Sequence, residues 1–280
     1  MGGSAAPDFM SLLTEQDIYL FREGTHAASD YLEDAALARV VTVGARRCGG
    51  GLAGAPFVSN VASAARLAAS LEPDLVIFEG SGAAIPPVQV GRRILVASAG
   101  QDPELVVGYL GAYRLLLSDL VVLTNCEEPL ASREAVDRLR EAISDVDPDL
   151  PVIETILRPK PVSSVEGRKA AYFTTAPAAI HDRLRKHLED EHGAEVVLVS
   201  GSLARRDELR KELESKEAHA ADLFLVELKA AAIDVVAETA AESGTPVVLC
   251  DNEVRTVDRS DLDEQLTALA DAVSREQVPA

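Results

Sequence analysis

The chain has 280 residues, 47% of them hydrophobic, and a formal net charge of −19. That length accommodates two domains of ordinary size, each with a buried core. Acidity spread along the whole chain argues against nucleic acid or an anionic membrane as partner, and no apolar run approaches the roughly 18 residues of a membrane span.

The N-terminal string MGGSAAPDFMSLL has no basic stretch leading into a long apolar one. This predicts no signal peptide and a cytoplasmic protein. Apolar runs bounded by turns then predict strands at 38–43, 74–78, 93–97, 119–124, 152–157, 170–174, 195–200, 222–227 and 246–250. Most are rich in Val, Leu and Ile without polar alternation, the pattern of parallel strands buried on both faces. Helical patterns fall between them, at 58–70, 103–117, 133–144, 177–191, 205–215, 231–243 and 261–275. Ser132 and Ser260 are candidate N-caps, and Gly193 and Gly244 candidate C-terminal stops.

The string RPKPVSSVEGR at 158–168 interrupts this alternation with two prolines, two serines and a glycine. It divides the chain near residue 166, into 1–166 and 167–280. Beyond it, four strand–helix pairs predict a Rossmann-like α/β domain. That domain has no G-x-G-x-x-G, so its fold alone implies no dinucleotide.

The loop GARRCGGGLAGA at 44–55 follows a predicted strand and precedes a helix. Consecutive glycines let backbone N–H groups turn inward around an anion, and the helix start adds partial positive charge. Arginine binds phosphate bidentately. Arg46, Arg47, Gly49, Gly50 and Gly51 are therefore candidate phosphate ligands, against the alternative of a plain connection with solvent-facing arginines. Cys48, Cys126 and Cys250 lie far apart with no C-x-x-C, which points to neither zinc nor disulfide. Cys48 is read as a structural thiol, although two neighbouring arginines would lower its pKa.

Glu79 opens the string EGSG directly after the predicted strand 74–78. A carboxylate at that end of a strand faces the crevice where open α/β sheets bind ligands. It is a candidate Mg²⁺ ligand, or else an acceptor for its own turn at Ser81 and Gly82. His26, Ser29 and Asp30 lie in GTHAASDYLED, a loop entering a helix. His26 is a candidate phosphate ligand or a capping residue, and the acids Asp30, Glu33 and Asp34 read as a solvated first turn. Asn125 and Glu127 follow the strand 119–124, the place where P-loop folds often meet a purine base. Arg158 and Lys160 follow the strand 152–157 at the same edge. Glu227 and Lys229, then Asp251 and Asn252, repeat the arrangement beyond residue 166, with helix capping as the alternative.

The strings at 24–60 and 74–88, with LTNCEEP at 123–129, LRPKP at 157–161 and ELKAAAIDV at 227–235, resemble the cyclic 2,3-diphosphoglycerate synthetases. The resemblance runs from about residue 20 to about residue 275. EGSG is also similar to an element of dethiobiotin synthetase-like P-loop enzymes. The resemblance implies an α/β fold: an incomplete P-loop-NTPase-like parallel sheet followed by the Rossmann-like domain. It implies an ATP-dependent ligase that uses Mg²⁺ to close 2,3-diphosphoglycerate into a cyclic pyrophosphate. Arg46, Arg47 and Gly49–Gly51 would position phosphate, with Glu79 as the Mg²⁺ or phosphoryl-transfer carboxylate. His26 and Lys229 would contact substrate, and Asn125 and Lys160 the nucleotide.

A P-loop requires G-x-x-x-x-G-K-[ST], and no Gly-Lys dipeptide occurs here. The chain is therefore expected to be the C-terminal portion of such an enzyme, lacking its Walker A segment. A missing N-terminal segment or a separate chain would supply the phosphate cradle. The open apolar sheet edge left behind predicts association, as a homo-oligomer or with that partner. Two alternatives remain: a module that binds a phosphometabolite or nucleotide without turnover, and a dethiobiotin synthetase-like ligase.

Overall fold

The computed structural model describes residues 10–11, 38, 40–45, 47–48, 58–80, 85, 87–228, 230, 232–257 and 260–275. The chain divides into two units. The first comprises Met1–Met10, Val43–Ile156 and Arg255–Ala280, and the second Ser11–Thr42 and Leu157–Val254. The main elements, in chain order, begin with α1 (Val61–Ala69), β1 (Ile94–Ser98), α2 (Pro103–Val107), α3 (Gly111–Leu116), β2 (Leu120–Thr124), α4 (Arg133–Val146) and β3 (Val152–Pro161). They continue with β4 (Lys169–Phe173), α5 (His181–His192), β5 (Glu195–Ser200), α6 (Arg206–Leu213), α7 (Lys216–His219), β6 (Leu223–Glu227), α8 (Ile233–Ser243), β7 (Val247–Thr256) and α9 (Leu262–Arg275).

In the first unit the run LVVLT becomes the central strand β2. Its first four residues are buried, as an unalternated apolar strand requires. It pairs in parallel with β1, Ile94 opposite Leu120 through Ser98 opposite Thr124. On its other side Val121 faces Val152 and Leu123 faces Glu154 of β3, again in parallel. One face of these strands meets α4, whose Val136, Leu139 and Ile143 recur at helical spacing and are buried. Leu139 and Ile143 pack with Val121, Leu123, Leu115 and Val106. The other strand face, Leu120, Val122 and Ile153, is covered by Leu262 and Leu269 of α9. Ser132 caps α4 as predicted, its Oγ accepting from the Ala135 amide at 3.2 Å. At α9 the cap is Asp261, which accepts from the Glu264 amide at 2.9 Å; the expectation for Ser260 is corrected.

Two expected elements in this unit differ. The helix predicted at 103–117 is two helices, α2 and α3. Gly108 ends α2 in an extended conformation, and Tyr109 follows with φ of 42°. Gly111 then packs so closely that a Cβ would lie 2.2 Å from the Val106 carbonyl oxygen, a place only glycine can occupy. No strand forms at 74–78, where Leu75, Val76 and Ile77 are 39%, 37% and 80% exposed. An apolar run becomes a strand only where a ladder accepts its backbone groups. Of the run predicted at 38–43, which spans the boundary between the two units as they divide the chain, Thr42–Val43 is the strand among the described residues.

The second unit carries β4, β5, β6 and β7 in the order β7–β6–β4–β5, all parallel. The chain thus runs from β4 outward to β5, then crosses back to β6 on the other side of β4. Every residue of β6 is buried. Phe173 of β4 and Phe224 of β6 meet edge-to-face, with ring centroids 5.4 Å apart. They share a cluster with Leu209 and Leu213 of α6 and Val235 and Val236 of α8. Gly193 and Gly244 end α5 and α8 in the left-handed conformation, at φ of 65° and 72°, as the sequence predicts. β3 does not stop at 157 but continues to Pro161, and in this unit the Val162 amide donates to the Leu249 carbonyl at 3.0 Å. Among the described residues no helix is long and apolar enough to cross a membrane.

Candidate functional site

The carboxyl ends of parallel strands are where an open α/β sheet meets ligands. In the first unit β1 ends at Ser98, and β2 passes from Thr124 into Asn125. Asn125 has a positive φ of 60°, a conformation asparagine tolerates better than most residues. The turn holds it there: the Glu127 amide donates to the Asn125 carbonyl at 2.8 Å, and the Cys126 amide to Thr155 at 3.0 Å. Its side chain then reaches across the strand tops, Nδ2 donating to Ser98 Oγ at 3.1 Å. Beside it lies a hollow of about 290 Å³, lined by Ser98, Gln101, Thr124 and Arg114 together with aliphatic Val96 and Leu105. Its lining mixes hydroxyl, amide and guanidinium groups with aliphatic side chains.

Behind this edge sits a buried ion-pair group that the sequence reading missed. Glu154 of β3 is only 4% exposed. Arg133 donates to both of its oxygens, at 2.6 and 3.0 Å, and Arg140 approaches at 3.1 Å. Arg133 also binds Asp137, and its hydrogen bonds to Glu154 and Asp137 raise its pKa. The signal available was one acid inside the apolar run VIETIL, with two arginines seven residues apart on α4. The Cys126 thiol nearby is pushed up by burial, which lowers its thiolate fraction and hence its reactivity.

The second unit has its own polar cluster at the strand ends. Glu227 closes β6 and is 8% exposed. Its Oε2 accepts from Thr174 Oγ1 at 2.8 Å, the Thr175 amide at 2.6 Å and Thr175 Oγ1 at 2.9 Å. Its Oε1 accepts from Asn252 Nδ2 at 2.7 Å. Glu227 was legible as a strand-end polar residue and Thr174 and Thr175 were not; Asn252, expected past a strand ending at 250, lies inside β7 instead. Burial, and then the Glu227 charge, drive the Cys250 thiol well above the ordinary range. Burial likewise raises the Tyr172 phenol.

The remaining candidates are placed as follows. Glu79 is exposed, and with no strand at 74–78 it does not close one; Ser81 and Gly82 lie outside the described residues. Arg47 and Cys48 form a two-residue strand antiparallel to Val58–Ser59, and their side chains are outside the described set. Arg46, Gly49, Gly50, Gly51, His26 and Lys229 fall outside the described residues altogether. Lys160 belongs to the second unit, inside β3 rather than past its end, and pairs with Glu253 at 3.6 Å; Asn125 belongs to the first. Among the described residues no three His, Cys, Asp or Glu side chains group to hold a metal ion. Mg²⁺ asks for less, one or two carboxylates completed by substrate phosphates, so a single carboxylate such as Glu79 fits it.

Two family models match in succession. That for the cyclic 2,3-diphosphoglycerate synthetase P-loop domain covers residues 5–156, and that for the same enzyme's C-terminal domain covers residues 161–253. A cyclic 2,3-diphosphoglycerate synthetase of Rubrobacter xylanophilus is 55% identical over 260 residues, 92% of this chain and 58% of the relative. That of Methanothermus fervidus is 46% identical over 238 residues, 85% of this chain and 52% of the relative. That of Thermococcus onnurineus is 39% identical over 277 residues, 97% of this chain and 63% of the relative. The chain thus spans between about half and two thirds of these relatives' length. The expectation of a C-terminal portion alone is corrected, because the P-loop domain model matches as well.

Proposed function

The chain belongs to the cyclic 2,3-diphosphoglycerate synthetase family, and we propose that it takes part in the ATP-dependent cyclisation of 2,3-diphosphoglycerate. The observation that carries this reading is the match of both family domains, one after the other, along one chain. In the proposed reaction one phosphate of the substrate accepts the γ-phosphoryl group of ATP and ADP leaves. An oxygen of the second phosphate then attacks the activated phosphorus, forming the phosphoanhydride and expelling inorganic phosphate.

Two mutually repelling phosphates must be held together for this, and positive groups lower that cost. Arg46, Arg47 and the Gly49–Gly51 backbone are assigned to phosphate positioning, and His26 and Lys229 to substrate. Asn125 and Lys160 are assigned to nucleotide. The polar and apolar lining beside Asn125 supports the first of these. Glu79 would hold Mg²⁺, whose charge, when bound, offsets that on the transferring phosphoryl group. The chain holds no G-x-x-x-x-G-K-[ST], so in this reading the nucleotide phosphates are cradled by a P-loop segment or partner chain beyond these residues. The setting is cytoplasmic and the assembly homo-oligomeric.

Phosphorus NMR of the chain with ATP, Mg²⁺ and 2,3-diphosphoglycerate tests this, alone and joined to the upstream segment of the Rubrobacter relative. A cyclic pyrophosphate signal in the joined chain supports the reading. Binding of diphosphoglycerate without product in either would favour a module that does not turn over. Turnover of a carboxylate acceptor instead of diphosphoglycerate would favour a dethiobiotin synthetase-like ligase.

A further inference from the structure

We propose that the open side of β1 docks a further parallel strand, the one that carries the P-loop, and that this strand lies between β1 and the run at 74–78; this rests on the function proposed above. The first ground is a pair of apolar runs in one unit, each short of a neighbour. Among the described residues β1 is hydrogen-bonded to one strand, β2. Its sequence ILVAS is nevertheless apolar on both faces, as in a strand inside a parallel sheet rather than at its edge. The run DLVIF at 74–78 has the same character and no ladder, with Ile77 80% exposed. One strand set between them gives both a partner.

The second ground is the space around β1. Leu120 and Val122, opposite Ile94 and Val96 in register, are buried under Leu262 and Leu269 of α9. Ile94 and Val96 lie beyond that cover and stay 44% and 62% exposed. The hollow of about 290 Å³ touches Leu95, Val96, Ala97 and Ser98, four successive residues whose side chains alternate between faces. It therefore flanks the strand rather than one of its faces, and Leu105 of α2 walls it.

The third ground names the occupant. A P-loop is a strand, a G-x-x-x-x-G-K-[ST] turn and a helix. The family's P-loop domain model matches residues 5–156, yet that turn does not occur in the sequence. The matched region is 58% of the Rubrobacter relative, which leaves room for such a unit outside it. A strand parallel to β1 ends beside Ser98 and brings its turn to the edge where Asn125 sits. An antiparallel one would carry the turn to the opposite end. The helix after the turn extends over Ile94 and Val96 the layer that α9 begins.

The test is hydrogen exchange read by mass spectrometry, on the chain alone and joined to the upstream segment of the Rubrobacter relative, with phosphorus NMR on the same samples. Joining is expected to slow exchange of the amides at 74–78 and 94–98 by about 10-fold or more, and to leave 195–200 in the second unit unchanged. Val96→Lys in the joined chain should return both runs to fast exchange, because one strand serves both. No slowing at either run overturns the proposal, as does slowing at 94–98 alone. Exchange at 94–98 that is already as slow in the chain alone also overturns it, since a second copy or the chain's own residues would then fill the place. Should Val96→Lys not fold, the wild-type comparison decides by itself. Cyclic product without slowing sinks this inference and leaves the proposed function standing; slowing without product does the reverse.

Discussion

Arg133 grips the buried Glu154 with both terminal nitrogens, at 2.6 and 3.0 Å, and so ties the first turn of α4 to β3. Removing the cation from a buried pair leaves the carboxylate uncompensated, at a cost of roughly 3–5 kcal/mol. Arg140 remains at 3.1 Å and Arg133 is half exposed, so Arg133→Ala is expected to cost about 2 kcal/mol, below that range. The joint replacement Arg133→Met, Glu154→Leu should recover most of the loss. Urea unfolding of the three proteins decides it, and equal midpoints for wild type and Arg133→Ala would remove the pair from the stability of this unit.

Arg206 and Asp234 join α6 to α8 through two bonds, at 2.9 and 2.5 Å. Burial pushes the Asp234 carboxyl up, but the hydrogen bonds and charge of Arg206 outweigh it and hold the pKa below the usual carboxylate value. A depressed folded pKa gives stability that is present above the unfolded pKa of about 3.9 and lost as pH falls through the folded one. Asp234→Asn should therefore cost about 0.5–1 kcal/mol at neutral pH, the scale of a surface pair. That difference should shrink as pH falls below the unfolded pKa and be lost once the folded carboxyl is protonated. A constant difference across the acid range in pH-dependent denaturation would contradict the assignment.

Cys250 is fully buried, and its thiol and that of Cys126 are both raised by burial. Reaction with a disulfide reagent at pH 8 is expected to leave Cys250 unlabelled in the native protein and to label Cys126 slowly. Both should react at once in denaturant. Mass spectrometry of the peptides gives the answer, and rapid native labelling of Cys250 would mean that β7 opens locally.

Asn125 separates backbone from side-chain roles. Asn125→Gly keeps the positive φ and loses the bond to Ser98, whereas Asn125→Ala also strains the turn. If the residue faces a nucleotide base, both variants should lose about 10-fold in ATP affinity, roughly the 1.4 kcal/mol of a single hydrogen bond. Only Asn125→Ala should also lower the melting temperature. Unchanged affinity in Asn125→Gly would take the base away from this edge.

Ile94 and Val96 of β1 are 44% and 62% exposed, and among the described residues β1 has one strand neighbour, β2. Such an edge recruits other strands. The chain is expected to associate at micromolar concentration, and Val96→Lys to raise the monomer fraction at least two-fold. Light scattering checks both, and a monodisperse wild-type monomer would show the edge to be covered.

The sequence alone marks the parts whose structure follows from short-range chemistry. The strand 195–200 is found where it was predicted. Gly193 and Gly244 stop their helices because a left-handed residue is needed there, and Ser132 starts α4 because an orphan amide needs an acceptor. Glu227 was visible as a polar residue at a strand end, but its cluster with Asn252, which lies inside β7, was not. Tertiary structure decided what depends on partners distant in the chain. β3 and β7 run on through polar residues to Pro161 and Thr256, because strand length is set by the neighbouring backbone rather than by composition. The run at 74–78 is apolar but finds no ladder. Glu154 acquires its arginines, and Glu227 its two threonines 52 and 53 residues away, only when the strands are laid side by side. Hydrogen bonds and ion pairs reach about 3 Å, so their partners are fixed by the order of strands in space and not by their order in the chain.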